Sequence, residues 1–126
     1  MKRLAKSMRH GFRGIATTFR SEPNFRIHCV LSVAAVIFGI ALHISLGEWV
    51  AVVFAIGFVM AAEALNTAIE KLADRVEPEI DPAIGVAKDA SAAGVLITAI
   101  AAGVVGAIIF LPKLWNWLNL LLEALN

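Results

Sequence analysis

Three long apolar segments dominate the hydropathy pattern of this chain. The first covers residues 27–46, "IHCVLSVAAVIFGIALHISL". The second covers residues 49–72; it begins at Trp49 and carries no charge through Ala62. The third covers residues 88–111 and contains "ASAAGVLITAIAAGVVGAIIFL". A helix needs about 20 mostly apolar residues to cross a bilayer. The first and third segments meet that length directly. The second meets it if Glu63 is tolerated near one end of the span.

Residues 4–20 show a different periodicity. Leu4, Met8, Phe12, Ile15 and Phe19 recur at helical spacing, with lysines and arginines between them. That pattern predicts an amphipathic helix lying on a membrane surface. "SEPNF" then interrupts it. Ser21 reads as the cap of the next helix and Pro23 as part of its first turn. After the second span, Pro78 reads as a stop, with Asp81 as cap and Pro82 as first residue of the third helix. That helix opens with small residues, Ala87, Ala90, Ser91, Ala92, Ala93 and Gly94, with Gly103 and Gly106 later. Such runs let helices approach closely in lipid. Residues 114–126 form a tail whose Trp115 and Trp117 suit the membrane interface; a short helix against a partner reads equally well. No repeat or linker divides residues 1–126, so the expectation is one all-α integral-membrane domain.

Composition supports lipid as the solvent. The 126 residues are 60% hydrophobic, with a mean hydropathy of +0.80. A globule of this size cannot hide that much apolar surface. Net charge is only +1, yet seven of the eleven Lys/Arg precede residue 27. A basic arm of this kind can bind nucleic acid. Here it leads straight into a membrane-like segment, so no nucleic-acid partner is expected. The single cysteine, Cys29, excludes an intrachain disulfide and reads as a small buried hydrophobe. No cleavable signal peptide is expected, because the first long apolar run begins only after Arg26.

Charge also sets the orientation. The link between spans one and two has no Lys or Arg, whereas Lys71, Arg75 and Lys88 lie at or between the facing ends of spans two and three. Positive flanks stay on the cytoplasmic side. The N-terminus and the second link are therefore expected in the cytoplasm of a bacterial cell. His28 and His43 fall near the ends of span one and read as interfacial residues.

The stretch "EALNTAIEKLAD" interrupts the apolar pattern with chemistry. At about 100° per residue from Glu63, Asn66 lies near 300°, Glu70 near −20° and Asp74 near +20°. These four side chains form one stripe, from shallow membrane depth out into water. Carboxylates in lipid are costly and are usually functional or paired. The plain alternative is a set of helix-pairing contacts followed by a solvated helix end. Oxygen ligands spaced this way suit Mg²⁺, which often sits on one or two carboxylates plus phosphate. A carboxylate withdrawn from water also suits a general base. Glu22, Lys88 and Asp89 fall at the same membrane level, and a lysine there can meet phosphate oxygens. Lys88 as a snorkelling anchor is the plainer reading. No P-loop or protein-kinase signature is present. An ion- or proton-coupled transporter using Glu63 is the competing function, and a structural membrane subunit a third.

"EALNTAIEKLADRVEPEIDP" and "AKDASAAGVL" resemble the small prokaryotic membrane lipid kinases of the diacylglycerol and undecaprenol kinase type. "RSEPNFRIH" resembles the same family's segment before its first span. The resemblance covers about residues 3–112. It implies a homotrimer of three-span chains, each with an N-terminal surface helix, and active sites between neighbouring chains. It implies that ATP and Mg²⁺ phosphorylate the hydroxyl of a membrane lipid alcohol. Carried over, Glu63 takes the hydroxyl proton and Asn66 orients the site. Glu22 and Glu70 hold Mg²⁺. Lys88 and Asp89 contact the nucleotide, with Asp74 beside them on the stripe. Glu79, Ile80 and Asp81 lie in the loop around it, and Arg3 and His10 on the surface helix near it. His10 stands where the best-known member has an aromatic residue. "NFRIH", "EW" and "FLPK" lean toward the undecaprenol branch.

Overall fold

A computed structural model describes residues 2–76 and 81–124. The expectations for Pro78, Glu79 and Ile80 lie outside the described residues. Among the described residues the regular structure is helical: α1 (Lys2–Ser21), α2 (Pro23–Ala41), α3 (Leu46–Val76) and α4 (Pro82–Ala124). The last three are long and apolar enough to cross a membrane. α3 packs along α4 and against α2, and α1 touches both α2 and α3.

α1 keeps its apolar stripe uncovered: Leu4, Met8, Phe12, Ile15 and Phe19 are all exposed. Its helical ladder runs to the last residue, and the Glu22 amide then donates to the Thr18 carbonyl. Ser21 therefore ends α1 and does not cap α2. The cap position of α2 belongs to Glu22, in extended backbone, with no side-chain capping bond. Pro23 needs no donor partner at the first position, and the Glu22 carboxylate faces Lys71 on α3. Arg26 donates from Nη1 to the Phe19 and Arg20 carbonyls, filling acceptors at the end of α1. Beside this junction Phe25 is only 2% exposed. Burying such a ring contributes about 2 kcal/mol.

Span one ends at Ala41, earlier than the apolar run suggests. The Ile44 amide donates to the Gly39 carbonyl and the His43 amide to that of Ile40. His43 adopts the left-handed region at φ 48°. Together these close a Schellman cap. Ile44 folds back over Gly39, where the Trp49 ring also rests. Ser45 and Glu48 then start α3 with a capping box. The Ser45 amide donates to Glu48 Oε2 at 2.6 Å and the Glu48 amide to Ser45 Oγ at 3.3 Å.

Asp81 caps α4 as its sequence position predicts: Oδ1 accepts from the Ala83 and Ile84 amides. The expected separate tail is instead continuous with the third span, because α4 passes through Pro112 and ends at Ala124. Proline removes one ladder bond. The flanking apolar backbone keeps the rest, as backbone groups in lipid must be satisfied within the helix.

α3 is the central element. Four of its five buried positions, Val52, Val59, Glu63 and Thr67, are spaced by seven and four residues, which puts them on one face. Glu63 thus falls on the stripe that packs inward.

Candidate active site

Exposure grades along the α3 stripe. The Glu63 side chain is 4% exposed, and that of Asp74 is 68% exposed. Eleven residues of helix separate them, about 16 Å of rise. Asn66 and Glu70 lie between, half-buried.

Each member of the stripe has a distinct environment. Glu63 Oε1 is buried without a hydrogen bond. Its neighbour across the helix interface is His28 Nε2, at 3.4 Å. The charges of Glu22 and Glu70 also act on Glu63. The Thr67 hydroxyl returns to the Glu63 carbonyl at 2.9 Å and stays within α3.

Asn66 links α3 to α4. Its Nδ2 donates to Glu70 Oε1 at 3.0 Å, and its Oδ1 lies 2.6 Å from the Ser91 hydroxyl. The Lys88 carbonyl is a second acceptor for that hydroxyl, at 2.8 Å. The network fixes the Asn66 amide so that its donor end faces Glu70.

Two lysines hold the polar end together. Lys71 Nζ donates to Ser21 Oγ at 2.7 Å and lies 3.5 Å from Glu22 Oε1. It ties the α1–α2 junction to α3. Lys88 Nζ lies 2.8 Å from Asp74 Oδ1 and ties α4 to α3. Both pairs are solvent-accessible, so they position groups more than they stabilise the fold.

The fold thus brings together Glu22, Glu63, Asn66, Glu70, Asp74 and Lys88. Asp81 is used as a helix cap, and Asp89 is exposed on α4 beside Lys88. Arg3 and His10 are exposed on α1 and make no hydrogen bond or ion pair with a described residue. His10 is about 16 Å along α1 from Ser21. Glu79 and Ile80 lie outside the described residues.

Three neighbours were given no part in the site by sequence alone: His28, Lys71 and Ser91. His28 is not merely interfacial, because it faces Glu63. A signal existed, since a carboxylate within a membrane is usually paired, and His28 is an ionisable residue on the adjoining span. Ser91 is three residues after Lys88 and so shares its helix face.

Mg²⁺ fits the donor set. Among the described residues no three His, Cys, Asp or Glu side chains form a ready metal cage. Two carboxylates from adjoining elements, Glu22 and Glu70, are the kind of oxygen set Mg²⁺ uses when phosphates supply the remaining ligands.

An apolar groove of about 500 Å³ runs between α2, α3 and α4. His28 and Ser32 are the polar groups on its wall, near one end; Phe110 and Leu114 line the other. Small residues such as Ala35, Ala102 and Gly103 keep it open.

The chain is similar to known proteins along most of its length. The prokaryotic diacylglycerol kinase family matches residues 9–110. The chain is 39% identical to the undecaprenol kinase of Bacillus subtilis, over 90% of this chain and 93% of that protein. It is 35% identical to a diacylglycerol kinase of Synechocystis over 88% of this chain and 64% of that protein. It is 32% identical to that of Haemophilus influenzae over 85% and 92%. The family match over residues 9–110, with similarity along nearly the whole of both chains to an undecaprenol kinase, shows that the chain belongs to the prokaryotic diacylglycerol kinase family of membrane lipid kinases.

Proposed function

We propose that this chain transfers the γ-phosphate of ATP to the hydroxyl of undecaprenol, giving undecaprenyl phosphate. Diacylglycerol, giving phosphatidic acid, is the alternative acceptor. The similarity to an undecaprenol kinase across nearly the whole of both chains supports the first. The observation that carries the reading is Glu63: a carboxylate 3% exposed, on an apolar helix, among other acids.

Glu63 accepts the proton of the lipid hydroxyl as the hydroxyl oxygen bonds to the γ-phosphorus, while the bond from that phosphorus to the β,γ-bridging oxygen breaks and ADP leaves. Asn66, locked by Ser91, holds Glu70 in place through its amide. Lys88 leaves Asp74 for the phosphate oxygens, with Asp89 on the adjoining nucleotide. Glu22 and Glu70 would hold Mg²⁺, which neutralises charge on the phosphates when bound. Phosphoryl transfer demands mainly positioning and charge neutralisation. Glu79, Ile80, Asp81, Arg3 and His10 complete the nucleotide's surroundings. Because Arg3 and His10 stand far along α1 from Glu22, a neighbouring chain supplies them.

The assembly is a homotrimer. Support comes from the thin covering of each span: within one chain, only 6% of the apolar window of α4 is buried. Lipid and neighbouring copies cover the rest. The N-terminus and the site face the cytoplasm, where the lysine- and arginine-bearing flanks lie.

The test is a side-by-side assay of the purified protein in mixed micelles with ATP, Mg²⁺ and either undecaprenol or diacylglycerol. Faster transfer to undecaprenol is expected. Transfer to diacylglycerol alone overturns the acceptor, and transfer to neither overturns the reading.

A further inference from the structure

Glu63 is buried, yet Oε1 accepts no hydrogen bond. A buried polar atom left unmatched costs about 1–3 kcal/mol, more when charged. Such an atom in a folded protein calls for an explanation. His28 is the partner in reach. Its Nε2 stands 3.4 Å from Oε1, slightly beyond ordinary hydrogen-bond length. A small rotation of either side chain closes the gap.

The two residues come from different helices. His28 sits in the second turn of α2, and Glu63 sits mid-way along α3. His28 also lines the apolar groove, beside Ser32 and Val59, while its side chain remains 20% exposed. It therefore touches both the candidate base and the space where an apolar chain can lie. The Ser32 hydroxyl does not compete for Glu63, because it donates to the His28 carbonyl at 2.7 Å.

We propose that His28 is a positioning residue for the transfer: its Nε2–H holds Glu63 Oε1 and turns the other carboxylate oxygen toward the acceptor hydroxyl at the head of the groove. A carboxylate free to rotate presents either oxygen and many angles. One held at Oε1 presents a single oxygen, and orientation of this kind governs rate strongly. His28 bonds neither ATP nor metal in this scheme. The inference rests on Glu63 being the base.

The experiment uses the full-length protein in mixed micelles, with undecaprenol, ATP and Mg²⁺. Four variants are compared: Glu63→Gln, His28→Leu, His28→Gln and His28→Asn. The glutamine keeps an N–H donor at nearly the reach of Nε2; the asparagine stops one methylene short. His28→Leu is expected to lower kcat about a hundredfold, the scale of a misplaced catalytic group, with the KM for ATP unchanged. His28→Gln recovers kcat to within about fivefold, and His28→Asn does not. If the leucine variant does not fold, the glutamine–asparagine contrast decides alone. Equal kcat in those two overturns the proposal. So does a loss that appears only in the KM for ATP. Glu63→Gln separates the two readings. An inactive Glu63→Gln with normal His28 variants removes the positioning role and keeps the base. A fully active Glu63→Gln removes both.

Discussion

Lys88 Nζ lies 2.8 Å from Asp74 Oδ1, so the lysine suited to phosphate is held by a carboxylate one helix away. Under the proposed function the aspartate holds the cation until a triphosphate, with more negative charge, replaces it. Lys88→Ala is expected to raise the KM for ATP at least about tenfold, as loss of one charged contact does. Asp74→Asn should change it only a few-fold. The two values come from initial rates over a range of ATP concentrations at fixed lipid.

Glu63→Gln replaces a buried, poorly matched carboxylate with a neutral amide of the same shape. Transfer should fall by about a hundredfold to ten-thousandfold, the usual range for a lost acid–base group. Thermal stability should hold or rise, since the cost of burying a charge is gone. Kinase rates and a melting curve on the same preparation check both halves. A large drop in melting temperature would mean that the carboxylate serves the fold.

Ser91→Ala removes the proton that anchors Asn66 Oδ1. The expected loss is about 1 kcal/mol of stability, the net worth of one hydrogen bond. Asn66→Ala should cost more activity than Ser91→Ala, because it also leaves Glu70 Oε1 without its donor. A double variant should be less than additive, since both changes act through one network.

Chelation should abolish transfer, and added Mg²⁺ should restore it. Glu22→Gln and Glu70→Gln should each raise the Mg²⁺ concentration needed for half-maximal rate. A titration of rate against free Mg²⁺ reads this directly. Unchanged titrations in both variants would remove these two carboxylates from the metal.

Gly39→Ala tests the opposite end of the molecule. A Cβ there would stand 2.7 and 2.9 Å from two Trp49 ring atoms and 3.1 Å from Ile44 Cδ1. The ring is rigid and must shift, so about 1–3 kcal/mol of destabilisation is expected, the usual scale of overpacking. Pairing the change with Trp49→Leu should recover most of it, as a melting curve would show.

Much of this site was legible in the sequence because helix geometry is regular. Spacing alone put Glu63, Asn66, Glu70 and Asp74 on one stripe, and α3 carries them so. The amphipathic pattern marked α1, and Asp81 marked the start of α4. What stayed hidden depends on contacts between helices. His28 facing Glu63, Ser91 reaching Asn66 and Lys71 clasping the α1–α2 junction all require the tertiary arrangement. The end of span one stayed hidden for another reason: "LHISL" is apolar enough to continue a helix, and the left-handed turn at His43 stops it. The tail at residues 114–126 erred in the other direction, because α4 holds its course through Pro112 and carries that stretch as part of one helix. The transporter reading also rested on Glu63 alone, and the family match sets it aside.

α3 is unbroken from Leu46 to Val76, and that continuity makes it a ruler. Its four polar marks stand at fixed intervals that no ligand can stretch. Under the proposed function, adjustment of the backbone around a substrate falls to the other elements, where Glu22 hangs from the α1–α2 junction and Lys88 rides on α4. Each is clasped to the ruler by one solvent-accessible ion pair, weak enough to open and close within a turnover.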